Sequence, residues 1–266
     1  MHYVSADDLT KSYGITPLFE NISFHIEEGD KIALIARNGS GKSTLLKILA
    51  GKETPDEGKY RVNKDVDVVL FEQEPGFMED RSIADNIFFH DHPVLNAIKE
   101  YEAISEENEP GSGLVPGTDT EKLNKAIIKM DELGAWDFDA KVKQVLDRLN
   151  IHNLAQVVNT LSGGQRKRVA LAKTLIDIGF EHKHVLLLMD EPTNHLDVEM
   201  VEWLEHYLDK ENVTLLLVTH DRYFLDIVCH EIWELDRDNL YTYKGNYENY
   251  LEKKAARIEN EEIQAP

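Results

Sequence analysis

Apolar positions change their period along the chain, and each change predicts a different element. Ile22, Phe24 and Ile26 alternate with Ser23, His25 and Glu27, the period of a half-buried strand. Glu28-Gly29-Asp30 then turns the chain into residues 31–35, with the apolar run Ile32-Ala33-Leu34-Ile35, and Leu45-Leu46-Lys47-Ile48-Leu49-Ala50 follows as a helix. Thr54-Pro55-Asp56-Glu57-Gly58 reads as a turn, and a second β run over 66–71 leads to Gln73. Helical spacing then takes over in three sets: Val94, Leu95, Ile98 and Tyr101; Leu123, Ile127 and Met130; Val142, Val145, Leu146 and Leu149. Between the first two sets, residues 105–120 are rich in Glu, Gly, Pro and Ser and read as a loop. This middle third is a helical insertion in an otherwise α/β chain.

The α/β pattern returns at residues 185–189 and 213–218, short unalternating apolar runs expected of strands covered on both faces. The first ends in Asp190-Glu191 and the second in Thr219-His220. Open α/β sheets bind ligands off the carboxyl ends of their strands, so residues 38–44, Asp190-Glu191 and His220 are expected to converge. At the tail, Tyr247, Tyr250, Leu251 and Ile258 line one face of a helix whose other face is charged. With little evident to pack on, that helix reads as a linker cut short or a frayed end.

The strongest chemical pattern is Ala36-Arg37-Asn38-Gly39-Ser40-Gly41-Lys42-Ser43-Thr44, between a strand and a helix. In that order, backbone N–H groups surround a phosphate and the helix N-terminus adds partial positive charge. Lys42 would reach the β- and γ-phosphates, and the Ser43 hydroxyl would hold Mg²⁺. Ala36 stands where the pattern G-x-x-x-x-G-K-[ST] has glycine. It costs little if its φ is negative and about 1 kcal/mol if positive.

Leu161-Ser162-Gly163-Gly164-Gln165 precedes a helix, and Ser162 with Gln165 makes a capping box. Capping needs no Gly-Gly pair, which instead suits a second anion cradle. Asp190 is placed to reach the water shell of Mg²⁺ and Glu191 to orient and deprotonate a water; the plainer reading is two acids capping the next helix. His220 could hydrogen-bond a γ-phosphate or polarise the water, or be a satisfied surface residue. Gln73 could complete a metal or water contact. Tyr13 could stack on a base or simply pack.

Composition narrows the setting. The 266 residues, 42% of them hydrophobic, suit a folded chain with a sizeable core. The net charge of −21 argues against a bare nucleic-acid binder, but leaves open one triphosphate held by the local field of one loop. No apolar run is long enough to span a bilayer, and Met1 to Asp8 lack the basic start and apolar core of a secretory signal. The single cysteine, Cys229, suits a reducing cytosol and reads as a buried structural thiol. A cytoplasmic protein is expected.

Six of these elements occur in the order found in ATP-binding cassette (ABC) ATPases, which the chain resembles over nearly its whole length. Tyr13 is similar to the adenine-stacking aromatic, residues 36–44 to Walker A, and Gln73 to the Q-loop. Residues 161–165 resemble the LSGGQ signature, 186–191 Walker B with its glutamate, and His220 the switch histidine; Leu196-Asp197 resembles the D-loop. The resemblance implies an α/β P-loop NTPase: a RecA-like core sheet with an N-terminal antiparallel β subdomain and an inserted helical subdomain. The expected division is 1–90 for the β subdomain and first part of the core, and 91–160 for the helical subdomain with an arm-like insert. The signature helix and rest of the core follow at 161–245, then the start of a linker helix at 246–266.

The cofactors implied are ATP and Mg²⁺, the metal held by Ser43, Gln73 and Asp190. Glu191 and His220 would be catalytic. Ser162, Gly163, Gly164 and Gln165 would act on a nucleotide held by a partner cassette, because the family binds each ATP between two cassettes.

Within the family, Glu191-Pro192-Thr193-Asn194-His195-Leu196-Asp197 and Thr219-His220-Asp221-Arg222-Tyr223-Phe224-Leu225-Asp226 resemble the ABC-F group. So does Tyr243-Lys244-Gly245-Asn246-Tyr247-Glu248-Asn249-Tyr250. That group carries two cassettes on one chain, has no membrane domain and acts on ribosomes. The helices around 95–130 are similar in position to its arm. With one Walker A and one signature, the chain looks like an N-terminal cassette whose partner is a second cassette downstream, or a second copy of itself. Ribosome and tRNA contacts would run through a linker that is nearly all absent. Two other readings remain: the energising subunit of a membrane transporter, and a nucleotide-switched ribosome-binding module with little turnover.

Overall fold

The computed structural model describes residues 1–36, 41–72, 76–108, 120–180, 183–236 and 238–265. Strands β1 (His2–Tyr13) and β2 (Thr16–Glu27) form an antiparallel hairpin, and β4 (Glu57–Val62) pairs with the far edge of β1. The predicted alternation over 22–26 holds: Ile22, Phe24 and Ile26 are buried, while Ser23, His25 and Glu27 face solvent. β4 takes in the last two residues of the predicted turn. Gly58 lies where β4 crosses a bulge in β1; its φ is +82°, and a Cβ there would come within 2.2 Å of the Asp8 carbonyl oxygen. Only glycine fits.

The second sheet contains β3 (Lys31–Ala36), β5 (Asp67–Phe71), β6 (Val185–Asp190), β7 (Thr214–Val218), β8 (Glu231–Asp236) and β9 (Asn239–Lys244), in the order β5-β6-β7-β3-β8-β9. All its pairings are parallel except β8 with β9. Every residue of β7 and the first five of β6 are buried, as their unalternating apolar runs require. Helix α1 (Lys42–Leu49) buries Leu45, Leu46, Ile48 and Leu49 in one apolar cluster that both sheets share.

The chain divides into two compact units, Met1–Gln73 with Glu181–Pro266, and Glu74–Phe180. The second holds α2 (Ile83–Ile87), α3 (Pro93–Glu107), α4 (Thr120–Leu133), α5 (Trp136–Arg148) and α6 (Gly163–Ile178). Helix α6 therefore groups with the helical unit, whereas the expected division placed it with the rest of the core. Its apolar face (Val169, Ala172, Leu175, Ile176) is buried, and α6 packs on α2 and α5, so these helices satisfy one another. The predicted loop over 105–120 also begins later than expected. α3 runs to Glu107 and ends on Asn108, whose amide side chain donates to the Ile104 carbonyl; the stretch 109–119 lies outside the described residues.

The first unit also contains α7 (Val198–Lys210), α8 (Arg222–Val228) and α9 (Tyr247–Gln264). The tail helix has more to pack on than its sequence showed: Tyr250 is buried, and Lys254 and Arg257 reach a carboxylate in β8. Cys229 is buried, and burial pushes its thiol up to about 12, which makes it unreactive. No helix among the described residues is long and apolar enough to cross a membrane.

One charged cluster lies inside the helical unit. Lys143 on α5 reaches Glu102 on α3 at 3.1 Å and Asp139 at 3.2 Å, and the Asp139 side chain is only 3% exposed. Burial, together with the adjacent Asp139, pushes the Glu102 carboxyl from 4.5 up to about 7. The folded chain thus holds a proton that the unfolded chain releases between those values. Stability from this site is greatest below about pH 4.5 and falls as pH rises to about 7. Glu102→Gln should remove the loss, raising unfolding free energy by about 1–3 kcal/mol at pH 8 and leaving it unchanged near pH 4.5. Urea denaturation at the two pH values checks it; equal effects at both would contradict the assignment.

Candidate functional site

The site is built on the first unit, where β3, β6 and β7 lie side by side and end together. The register pairs Leu34 with Val218 and Asp190 with Val218, so the P-loop strand, the acidic strand end and the approach to His220 are neighbours. Ser43 at the start of α1 donates a 2.6 Å hydrogen bond from Oγ to Asp190 Oδ2, across 147 residues of sequence. Two hard oxygen donors meeting in this way fit a small divalent cation such as Mg²⁺.

Helix α1 differs from the other helices. Its N-cap is Gly41, no side chain caps it, and its first turn carries no acidic residue. Side chains of Ser82, His92, Ser162, Asp197, Asp221 and Asn246 cap α2, α3, α6, α7, α8 and α9. Acidic residues occupy the first turns of α4 and α5. The N–H groups of α1 are thus left for an external anion.

Lys42 reinforces that demand. It is 4% exposed, and among the described residues it has no ion-pair partner. Its side chain lines a 460 Å³ cleft together with Ala36, Thr219, His220 and Arg222, where an anion would form charge-assisted hydrogen bonds with the ammonium.

Gly41 allows a close approach: a Cβ there would lie 3.3 Å from both Leu235 and Phe19. Ala36 closes β3 paired with Leu235, and it is not among the residues with positive φ. Its methyl therefore causes no backbone strain at the mouth of the loop. Arg37, Asn38, Gly39, Ser40 and Gln73 lie outside the described residues. Thr44 is buried on α1.

Glu191 follows β6 with φ +49°, a left-handed conformation uncommon for a non-glycine residue. Its N–H donates to the Val218 carbonyl at 2.7 Å, and its Oε2 accepts from the backbone N–H of His220 at 3.3 Å. The His220 ring nitrogen Nε2 stands 3.4 Å from Glu191 Oε1, with the imidazole largely exposed. The acidic pair does not cap the next helix, because Asp197 caps α7 and accepts from the Met200 N–H at 2.9 Å. A held carboxylate beside an exposed imidazole, one residue after the Asp190 that meets Ser43, can orient a water and accept its proton. Strain at such a position is frequent at functional sites.

Tyr13 ends β1 half exposed, so it is not a core residue; its hydroxyl donates to Glu53 at 3.2 Å, and Lys11 lies 5.9 Å from its ring centroid. In the helical unit, Ser162 and Gln165 form the predicted capping box: Ser162 Oγ accepts from the Gln165 N–H, and Gln165 Oε1 accepts from the Ser162 N–H. Gly163 and Gly164 have no atom within 4 Å of where a Cβ would be. Packing among the described residues does not require glycine there, and glycine is less favourable than alanine in a helix. Arg222 also lines the cleft; the sequence gives it no site role and carries it only within the motif at residues 219–226.

Comparison with known proteins adds the ancestry. A family profile described as ABC transporter matches residues 19–194, and a second with the same description matches 233–265. The Bacillus subtilis protein named uncharacterized ABC transporter ATP-binding protein YfmR is 44% identical over 261 residues, 97% of this chain and 40% of that protein. The energy-dependent translational throttle protein EttA of Mycobacterium tuberculosis is 37% identical over 253 residues, 93% of this chain and 43% of that protein. The chain thus spans about 40% of the length of these relatives. Among solved structures, an ATP-binding subunit of an ABC transporter superposes with a TM-score of 0.65 at 18% identity, covering 95% of this chain and 93% of that one. That likeness bears on the fold alone.

Proposed function

Because the chain belongs to the ABC transporter family of ATP-binding cassettes, we propose that it binds Mg²⁺ and ATP and hydrolyses the nucleotide as one half of a head-to-tail pair. The observation that carries this reading is the buried Lys42 beside a helix N-terminus that no side chain caps, with no ion-pair partner for Lys42 among the described residues.

Lys42 and the first N–H groups of α1 bind the β- and γ-phosphates, and Tyr13 stacks on the base. Ser43 and Asp190 hold Mg²⁺, with Gln73 assigned beside them by resemblance; bound there, the metal offsets charge on the phosphate oxygens. Glu191 orients a water and takes its proton as the water oxygen bonds to the γ-phosphorus. The bond to the bridging oxygen breaks, leaving ADP and phosphate. His220 hydrogen-bonds the transferring group and holds Glu191 in place.

The pairing rests on Gly163 and Gly164. Their open space and unexplained cost are accounted for if a partner's nucleotide phosphates approach the N-terminus of α6 there, with Ser162 and Gln165 beside them. The partner is a second cassette in the longer protein, or a second copy of this chain.

The larger protein is proposed to be a cytoplasmic ABC-F ATPase that acts on the ribosome. The motifs at residues 191–197, 219–226 and 243–250 support this, as does likeness to a protein whose name describes throttling of translation. With a charge of −21 on this cassette, affinity for ribosomal RNA would have to come from protein contacts and from the linker that α9 begins.

Phosphate release tests both layers. The isolated chain should lose specific activity on dilution, because pairing is bimolecular, and specific activity that stays flat and high at great dilution overturns the pairing. In the longer protein, ribosomes should stimulate release; indifference to ribosomes combined with recovery in membranes would favour a transporter subunit.

A further inference from the structure

Glu234 is a carboxylate buried in a strand. It lies in β8, 3% exposed and in register with Ile35 of β3, one residue before the end of the P-loop strand. Three side chains of α9 converge on it. Lys254 Nζ is 2.6 Å from Oε2, Arg257 Nη2 donates to Oε1 at 3.1 Å, and the Tyr250 hydroxyl donates to Oε2. The Arg257 guanidinium also lies 3.5 Å from the ring centroid of Tyr241 on β9. Burial opposes the charge on Glu234, but the hydrogen bonds from Lys254, Tyr250 and Arg257 outweigh it and hold the carboxyl below its ordinary range. Buried ion clusters add little net stability over apolar packing of the same shape, although breaking one is costly. Stability alone does not explain this one; it ties α9 to β8 in one register.

The next residue along β8 meets the start of α1. This residue, Leu235, is among the nearest neighbours of Gly41, the N-cap of α1. One cleft is lined by Lys42 and His220 together with Glu234, Tyr247, Tyr250 and Lys254. A second tie runs from the His220 side: the Arg222 guanidinium lies 4.6 Å from the Tyr247 ring centroid, and the Tyr247 N–H donates to Asp226 Oδ1 at 2.8 Å. The first two turns of α9 are thus fixed to the two segments that flank the phosphate site.

We propose that the Glu234–Lys254–Arg257–Tyr250 cluster couples the seating of α9 to nucleotide binding at Lys42, so that each biases the other. Glu234 and Lys254 are positioning residues, acting on the phosphate site through Leu235 and Gly41. The proposal rests on the ATP-binding reading above. Linkage makes the coupling reciprocal: whatever factor bound ATP applies to α9, α9 applies to ATP affinity.

Hydrogen exchange across residues 247–258 tests it, in the chain carrying Glu191→Gln, with and without saturating Mg²⁺ and ATP. ATP should slow exchange there at least threefold. In that background, Lys254→Met should weaken ATP binding by a similar factor and abolish the slowing, and Lys254→Arg should restore both. Exchange that is indifferent to bound ATP overturns the coupling, as does a Lys254→Met chain with faster exchange in α9 but unchanged ATP affinity. Calorimetry separates the two levels: a chain that binds no ATP overturns the nucleotide reading itself, whereas ATP binding without any response in α9 overturns only the coupling.

Discussion

Glu191→Gln should retain ATP binding within about threefold while cutting turnover by roughly 10²–10⁴-fold, the usual contribution of a general base. The substitution suits this site because the amide keeps the shape and one acceptor oxygen. The His220 backbone N–H at 3.3 Å still finds a carbonyl oxygen, and the left-handed backbone at φ +49° is no worse for glutamine than for glutamate. Only the capacity to take a proton is lost. Single-turnover phosphate release beside equilibrium ATP binding reads the two effects separately. Turnover that survives removes Glu191 from the role of base, and a large loss of affinity would make it a binding residue instead.

Lys42→Ala should have the opposite profile, weakening ATP binding by at least about 100-fold. Each charge-assisted hydrogen bond to phosphate contributes about 1.5–3 kcal/mol, and one lysine can make two. The nucleotide-free chain should lose less than about 1–2 kcal/mol, because the ammonium removed has no ion-pair partner among the described residues and only the stem's packing is given up. Thermal unfolding with and without Mg²⁺ and ATP checks both halves. Ligand at 100 times its Kd stabilises by about 2.7 kcal/mol, an increment the variant should lack at the same concentration. A variant that melts early without nucleotide and keeps its ATP-dependent shift would make Lys42 a packing residue.

The two substitutions show how differently the site was written into the sequence. Lys42 and Ser43 stood out as candidates because a glycine next to a lysine and a hydroxyl, after an apolar run and before a helical one, is a local pattern, and the order of the other motifs gave it weight. Asp190 and Glu191 were legible only as candidates, since two acids after a strand equally cap a helix. The structure decides against capping by giving that work to Asp197. At Ser162 the capping box is formed, and the two glycines beside it meet no described atom where a Cβ would stand.

Other features had no sequence signal. Glu234 sits in a short run with no regular alternation, and its partners lie 16 to 23 residues later on a helix whose charged face looked solvated. Glu102 and Asp139 are likewise two of the 50 acidic residues until α3 and α5 bring them together around Lys143. The division into units followed the same rule: α6 went with the helical unit because of the helices it packs on, which its own period does not specify.

By itself, then, the sequence determined the local elements, the order of the motifs and the kind of ligand they suit, because hydrophobic period, turn chemistry and helix-end chemistry act over a few residues. Only the tertiary structure decided which strand lies beside which, that Ser43 meets Asp190 across 147 residues, and which buried charges have partners. Parallel pairing and burial join residues far apart in the chain, and their energies depend on neighbours that no local pattern names.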